Sequence, residues 1–363
     1  MENFPLAKIA KCFDEFAILK NKSRQEFGAQ MIGGMIKQRS VQYTEIAEGI
    51  ESRAKVESTE RRIEDWFCKV ELDYEALMVL LTCFIPGNFK KWTVSIDRTE
   101  WDFGRLQINI LCAIVQIGKI GVPIYFEMLD NNSGNSNWEQ RIDLLKTIVK
   151  KIGKQRLDMV VMDREFIGQR WLSWLKKEKI GFCVRVPKNH KLILQSLEER
   201  TVEQLTQKRK TCRLRNVVVD GVVVNAWVER LANEDFLYLI GTVEPQKLPR
   251  VYRRRWSIEV FFQAIKNRGF NLEESHITTF ERMRKLFALV CIAYSVCWAS
   301  TWAYKREKGD LKKKNHGYPQ YSDFQFGLNQ VRNYLRTKAN RFVERALELI
   351  KDHFLLRFEK IIG

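Results

Sequence analysis

Apolar residues recur three and four positions apart through roughly the first quarter of the chain, as in Phe27, Met31, Ile32, Met35 and Ile36. This is the period of helices that bury one face. The run 41–50 reads as a short helix closed by Gly49, and the run 58–67 as a capped helix that sets Arg61 and Arg62 beside the aromatic pair Trp66-Phe67. Two structures fit this stretch: a helix-turn-helix that meets DNA through Arg61 and Arg62, and a plain helical bundle with a solvated charged face.

The pattern changes at Trp92. Residues 92–97, 106–117 and 122–128 are β-rich runs separated by turn-compatible residues, which predicts three successive antiparallel strands. A polar loop over Asp130-Asn131-Asn132-Ser133-Gly134-Asn135 follows. Ser136 and Glu139, in capping-box spacing, then open a helix that runs through Ile152. Residues 157–163 read as a buried strand ending in an acid, followed by a helix to about Lys179 and a strand over 181–186. Three strands, helix, strand, helix, strand is the element order of a mixed α/β sheet of the ribonuclease H-like kind.

From about Pro187 to Glu244 the chain is β-rich, and Val217-Val218-Val219-Asp220-Gly221-Val222-Val223-Val224 predicts a hairpin turning at Asp-Gly. Helical patterning returns from about Leu248 to Arg268. The uncharged run 286–304 is long enough to span a bilayer. Its serines, its flanking positive charge on both sides and the absence of a second span fit a helix buried within a large core better. The tail beyond Lys305 is basic, includes Lys312-Lys313-Lys314, and reads as mostly helical from Tyr321 onward. These shifts predict a helical DNA-binding region over 1–90, a ribonuclease H-like core over 91–186 and 246–305, a β-rich insertion over 187–245, and a basic helical C-terminal region over 306–363 that serves dimerisation or DNA binding.

Composition narrows the partner. The 363 residues carry a formal charge of +18 and are 45% hydrophobic, which describes a folded protein with the electrostatic footprint of a polyanion binder. Nucleic acid leads, with a generally basic protein as the alternative. The eight cysteines form no CxxC pair and the four histidines do not cluster, so zinc-finger and disulfide-framework readings are disfavoured. Reduced, packing cysteines in the cytoplasm are expected. The N-terminus lacks a basic region followed by a long apolar run, which argues against a secretory signal.

The candidate chemistry rests on acids. Cleaving a phosphodiester with two divalent ions, Mg²⁺ or Mn²⁺, requires carboxylates that hold the ions about 4 Å apart across the scissile phosphate. Asp97 lies in or at the end of the first predicted strand and Asp163 terminates the fourth, its neighbour in such a sheet; each taken alone is equally a helix cap. A more specific signal is Tyr252, Arg255, Glu259 and Lys266, whose offsets of 0, 3, 7 and 14 place them within about 60° on one α-helical face. That face offers a carboxylate for metal, two cations for phosphate oxygens and a phenol donor; a solvated ion-pair stripe is the plainer account. Glu165 competes for the metal role, or pairs with a helix dipole. Arg185 and Lys188 contact DNA, or form a solvated basic edge.

Tyr-x2-Arg-x3-Glu-x6-Lys over 252–266, Ile96-Asp97-Arg98-Thr99, Met162-Asp163-Arg164-Glu165-Phe166 and the loop Gly134-Asn135-Ser136-Asn137 together resemble the bacterial insertion-sequence transposases of the insertion-sequence-four, Tyr-Arg-Glu-Lys, family. The resemblance covers roughly 90–305. It implies a DNA transposase with a catalytic, metal-holding triad of Asp97, Asp163 and Glu259 and two Mg²⁺ or Mn²⁺ ions per site. It further implies phosphate contacts from Tyr252, Arg255 and Lys266, double-stranded DNA partners at transposon ends and target, a homodimer on two ends, and a bacterial, nucleoid-associated setting without membrane. The competing reading is a catalytically silent DNA-binding regulator derived from a transposase.

Overall fold

The computed structural model describes residues 4–87, 89–103, 106–129, 134–207, 209–232, 235–337 and 340–348. Residues 130–133 of the expected polar loop and the expected helical tail beyond 348 lie outside them.

Five helices come first: α1 (Phe4–Glu15), α2 (Lys22–Gln38), α3 (Tyr43–Gly49), α4 (Val56–Lys69) and α5 (Tyr74–Cys83). Gly49 was expected to close its helix, yet it does not turn the chain through a left-handed cap. It lets α3 lie against α2, since a Cβ on it would come within 2.8 Å of the Gly34 Cα. The start of α4 also differs from expectation. The helix begins at Val56 with no side-chain cap, Ser58 falls inside its first turn, and the Thr59 hydroxyl donates back to the Lys55 carbonyl.

The sheet begins with β1 (Trp92–Phe103), β2 (Leu106–Ile117) and β3 (Ile120–Met128), followed by α6 (Trp138–Ile152), β4 (Leu157–Met162), α7 (Gln169–Lys177) and β5 (Gly181–Arg185). The strand order is β3-β2-β1-β4-β5, with β2 antiparallel to β1 while β4 runs parallel to β1 and β5 to β4. This is the ribonuclease H-like arrangement. The capping box of α6 sits one residue later than its predicted position: Asn137 and Gln140 cap each other's backbone N–H groups. Ser136 is thereby left to accept from Arg141 Nε at 2.8 Å.

Beyond β5 come β6 (Leu192–Ile193), β7 (Glu199–Arg200), α8 (Val202–Thr206), β8 (Thr211–Val219), β9 (Val222–Arg230) and β10 (Phe236–Gly241). The inserted strands do not form a sheet of their own. β10 pairs antiparallel with β5, and the ten-stranded sheet continues β5-β10-β9-β8-β6-β7. The β8–β9 hairpin turns at Asp220-Gly221, with φ of 48° and 72°, the paired left-handed geometry of a two-residue turn whose twist suits the flanking strands.

The chain returns through α9 (Leu248–Tyr252), a 3₁₀ turn (Arg253–Arg255), α10 (Trp256–Gln263) and a π-helical turn (Ala264–Arg268), then α11 (Phe280–Lys308) and α12 (Asp323–Thr337). The apolar run expected to be a core helix lies in α11, which is buried from Leu286 to Thr301. It packs against α2, α4, α5, α12 and β3, and its one buried charge is satisfied, Lys285 Nζ donating to the Phe67 carbonyl at 2.8 Å. No cysteine among the described residues forms a disulfide, and six of the eight are wholly buried.

Candidate active site

The central strands of the sheet bring the first two acids together. Both faces of β1 are covered, so Val94, Ser95 and Ile96 are all buried, as expected of a strand beneath helices. The parallel register pairs Ile96 with Met162, which puts Asp97 and Asp163 next to each other where β4 ends and the chain leaves the sheet. Asp97 lies within β1, not at its end. Its Oδ1 accepts the backbone N–H of Arg98 at 2.9 Å.

Glu259 arrives from above. α10 crosses β1, β2 and β3, and Gly121 on β3 permits the close approach, because a Cβ there would lie 2.9 Å from the Ser257 carbonyl oxygen. Arg254 Nη1 ties the preceding turn to β1 through Thr93 Oγ1 at 2.6 Å. Arg255 then reaches between the acids: Nη1 donates to Asp97 Oδ2 at 2.7 Å and Nη2 donates to Glu259 Oε1. The Tyr252 hydroxyl donates to Asp163 Oδ1 at 2.9 Å, and the guanidinium of Arg255 sits 5.7 Å from the Tyr252 ring centre. Asp97, Asp163, Glu259, Tyr252 and Arg255 therefore form one cluster.

Burial dominates the electrostatics. It pushes the Asp97 carboxyl up to about 7, against the pull of Arg255 and the Arg98 N–H, while Glu165 and Asp163 push the same way as burial. Burial opposes the charge on Arg255, but Tyr252, Asp97, Asp163 and Glu259 outweigh it and hold the guanidinium protonated. Burial likewise raises Tyr252, keeping it a neutral donor.

Lys266 does not join this cluster. Its Nζ donates to the Glu100 carbonyl at 3.1 Å, pairs with Glu273 at 2.7 Å and lies 5.1 Å from the Trp101 ring centre. Glu100 is three residues beyond Asp97 on an extended strand, about 10 Å along it. The segment is not one regular α-helix, since the 3₁₀ turn at 253–255 and the π turn at 264–268 do not advance by 100° per residue. Tyr252, Arg255 and Glu259 are separated by single turns and stay adjacent, whereas Lys266 lies seven residues, about 10 Å of helix rise, beyond Glu259 and meets β1 further along.

Glu165 is not at the start of an α-helix, as the dipole reading required; it occupies a 3₁₀ turn (Arg164–Phe166), and α7 begins at Gln169. Instead it pairs with Arg98 at 3.5 Å, and its Oε1 is buried with no hydrogen-bond partner among the described residues. Sequence reasoning passed over two supporting arginines. Arg98 also pairs with Glu100. Arg141, only 4% exposed, donates to the Ser136 hydroxyl and carbonyl and, at 3.0 Å, to the Glu165 carbonyl, with its guanidinium 4.7 Å from the Phe166 ring centre. Its signal was an arginine on the buried stripe of α6, in phase with Leu144, Leu145, Ile148 and Ile152.

The other predicted DNA contacts lie on separate elements. Arg185 ends β5 and pairs with Asp235 at 3.4 Å. Lys188 is exposed on the following turn. Arg61 and Arg62 are exposed on α4, where Arg62 stacks 3.9 Å from the Phe27 ring centre. The exposed positions of α4 also include Glu57, Glu64 and Asp65, so its outer face is of mixed charge.

Residues 131–296 match the family model of the transposase DDE domain, a stretch that contains Asp163 and Glu259 and begins after Asp97. No curated protein matches the chain in sequence. Similar solved structures include the piggyBac transposase in a cryo-EM synaptic complex with hairpin DNA, at 12% identity and a TM-score of 0.47, covering 95% of this chain and 82% of that one.

Proposed function

We propose that the chain is a metal-dependent DNA transposase that cleaves the ends of its own insertion sequence and transfers the resulting 3′-hydroxyl to target DNA. One observation carries the reading: adjacent central strands and a crossing helix assemble Asp97, Asp163 and Glu259 into one cluster with Arg255 and Tyr252. The transposase DDE domain match over 131–296 and the charge of +18 support it.

Hard carboxylate oxygens suit Mg²⁺ or Mn²⁺, and beside the cluster Glu165, paired with Arg98, keeps a buried Oε1 without a hydrogen-bond partner among the described residues. Asp97, Asp163 and Glu259 would hold the ions, two per site. Among the described residues no three such ligands converge as they stand; the Arg255 guanidinium lies between Asp97 and Glu259. Bound divalent metal supplies charge neutralisation of the phosphate and a nucleophilic water at neutral pH. Arg255 is then free to turn from the carboxylates to a phosphate oxygen, and Tyr252 to donate to another. In cleavage, a water oxygen bonds to phosphorus and the 3′ oxygen leaves as a hydroxyl. In joining, that hydroxyl bonds to a target phosphorus and the target's 3′ oxygen leaves. Membership of the insertion-sequence-four group, a homodimer on two DNA ends and a nucleoid-associated, cytoplasmic setting complete the proposal.

The test incubates the purified chain with Mg²⁺ and DNA carrying the ends that flank its own gene, beside Asp97→Asn and Glu259→Gln. Wild type should nick and join, and both variants should bind without cutting. Variants that cut as well as wild type would sink the mechanism; wild type that binds the ends without cutting would leave the silent regulator as the better account.

A further inference from the structure

Between α11 and α12 the chain forms a short exposed hairpin that nothing in the active site uses. Lys313 pairs antiparallel with Pro319, the Lys314 N–H donates to the Tyr318 carbonyl at 2.8 Å, and Gly317, with φ of 83°, donates its N–H to the Lys314 carbonyl at 2.9 Å. This register sets Lys314 opposite Tyr318 and Lys312 opposite Gln320. Side chains alternate faces along a strand, so Lys312, Lys314, Tyr318 and Gln320 share one face of the hairpin.

Three properties mark it as a contact surface. Lys312, Lys313 and Lys314 are exposed, and none pairs with a carboxylate among the described residues; the nearest acid in sequence, Asp310, is 3.5 Å from Lys305 instead. Tyr318 is 73% exposed and Tyr321 41%, so large aromatic surface stands in water beside the cations. The tip is also ordered by its own bonds, with the Tyr318 N–H donating to His316 Nδ1 at 3.3 Å and the His316 and Tyr318 rings stacked at 6.0 Å. A solvated lysine run needs none of this local structure.

We infer that the 311–321 hairpin is a second DNA contact, a finger that grips the phosphate backbone of a duplex without reading sequence, its lysines neutralising phosphates and the Tyr318 phenol donating to a phosphate oxygen. The inference rests on the DNA-transposase reading, and it assigns to the hairpin affinity and positioning, not chemistry.

The experiment measures binding of the full chain to a labelled duplex of unrelated sequence across a salt series, for wild type, the triple variant Lys312→Ala/Lys313→Ala/Lys314→Ala, its Lys→Arg counterpart, and Tyr318→Ala. The triple alanine variant should bind more weakly, and the slope of log affinity against log salt should fall by about 2 to 3, close to one per lost phosphate contact. The arginine variant should keep the wild-type slope, and Tyr318→Ala should weaken binding with the slope unchanged. A triple alanine variant with wild-type affinity and slope overturns the finger alone and leaves cleavage at the acids standing. Wild type that binds no duplex at low salt overturns both the finger and the DNA reading. Loss of binding to polyglutamate with duplex binding intact would assign the hairpin to an acidic protein and overturn the inference.

Discussion

The two halves of the ten-stranded sheet are built on different principles. In β1 from Trp92 to Ile96, in β4 from Met159 to Met162 and in β5 from Phe182 to Val184 every residue is buried, so both faces are covered, and the acids stand where these runs end or pass beneath α10. In β8 and β9, exposed and buried residues alternate, with Val222, Val224, Ala226 and Val228 inside and Val223 half exposed. The first half derives its order from what packs over it and carries charge at the cost of burying it; the second is an ordinary one-sided hairpin closed by a local turn. A two-sided core can desolvate a carboxylate and a guanidinium together, which a one-sided sheet cannot. The candidate chemistry accordingly sits in the first half.

The strongest way to break the comparison is at the acids. Asp97→Asn or Glu259→Gln should lower DNA cleavage by at least about a thousandfold, because several kcal/mol of transition-state stabilisation would be lost. Duplex binding should persist; single-turnover cleavage read beside a binding isotherm checks both.

Packing should separate the halves next. Phe182→Ala, a fully buried ring in β5, should cost about 3–5 kcal/mol. Val223→Ala on the exposed side of β9 should stay within about 0.5 kcal/mol. Denaturant unfolding of the two variants measures this, and equal losses would show that the two halves are buried alike.

The pH dependence of stability sharpens the electrostatic side. The folded-state pKa of Asp97, about 7, lies above its ordinary 3.8, so the folded protein binds this proton more tightly than the unfolded chain. The resulting contribution is complete below about pH 4 and is lost as pH rises through 7. In metal-free protein Asp97→Asn should therefore gain stability relative to wild type between pH 4 and 7, by roughly a few kcal/mol. Melting curves across that range test the sign, and a gain toward acid would refute it.

The smallest effect belongs to the turn. Gly221→Ala imposes a side chain at a φ of 72° and should cost about 1 kcal/mol. The loss should be seen as a lower melting temperature with DNA binding unchanged.

Much of this molecule was legible in one dimension because much of it is local. The period of the N-terminal helices, the Asp-Gly turn, the apolar length of α11 and the element order of the sheet depend on residues within a few positions of one another, and the structure shows all four. Details of one or two residues were not secure: the cap of α6 moved from Ser136 to Asn137 because Ser136-Glu139 and Asn137-Gln140 both have capping-box spacing, and only the packing of Arg141 on Ser136 and Phe166 selects between them.

What tertiary structure alone decided is non-local. The sequence determined that acids stand at 97, 163 and 259 and that Tyr252 and Arg255 accompany the last of them. It could not show that Arg255 bridges two of those acids, or that β10 joins β5 so that the insertion extends the core sheet. Nor could it place Lys266 beside Trp101 and Glu273. A shared face does not make a shared site: seven residues of helix rise carry Lys266 about 10 Å past Glu259, across a segment that changes winding at 253–255 and 264–268. Which winding a segment adopts is set by the strands it must cross, and those lie more than a hundred residues away in the chain.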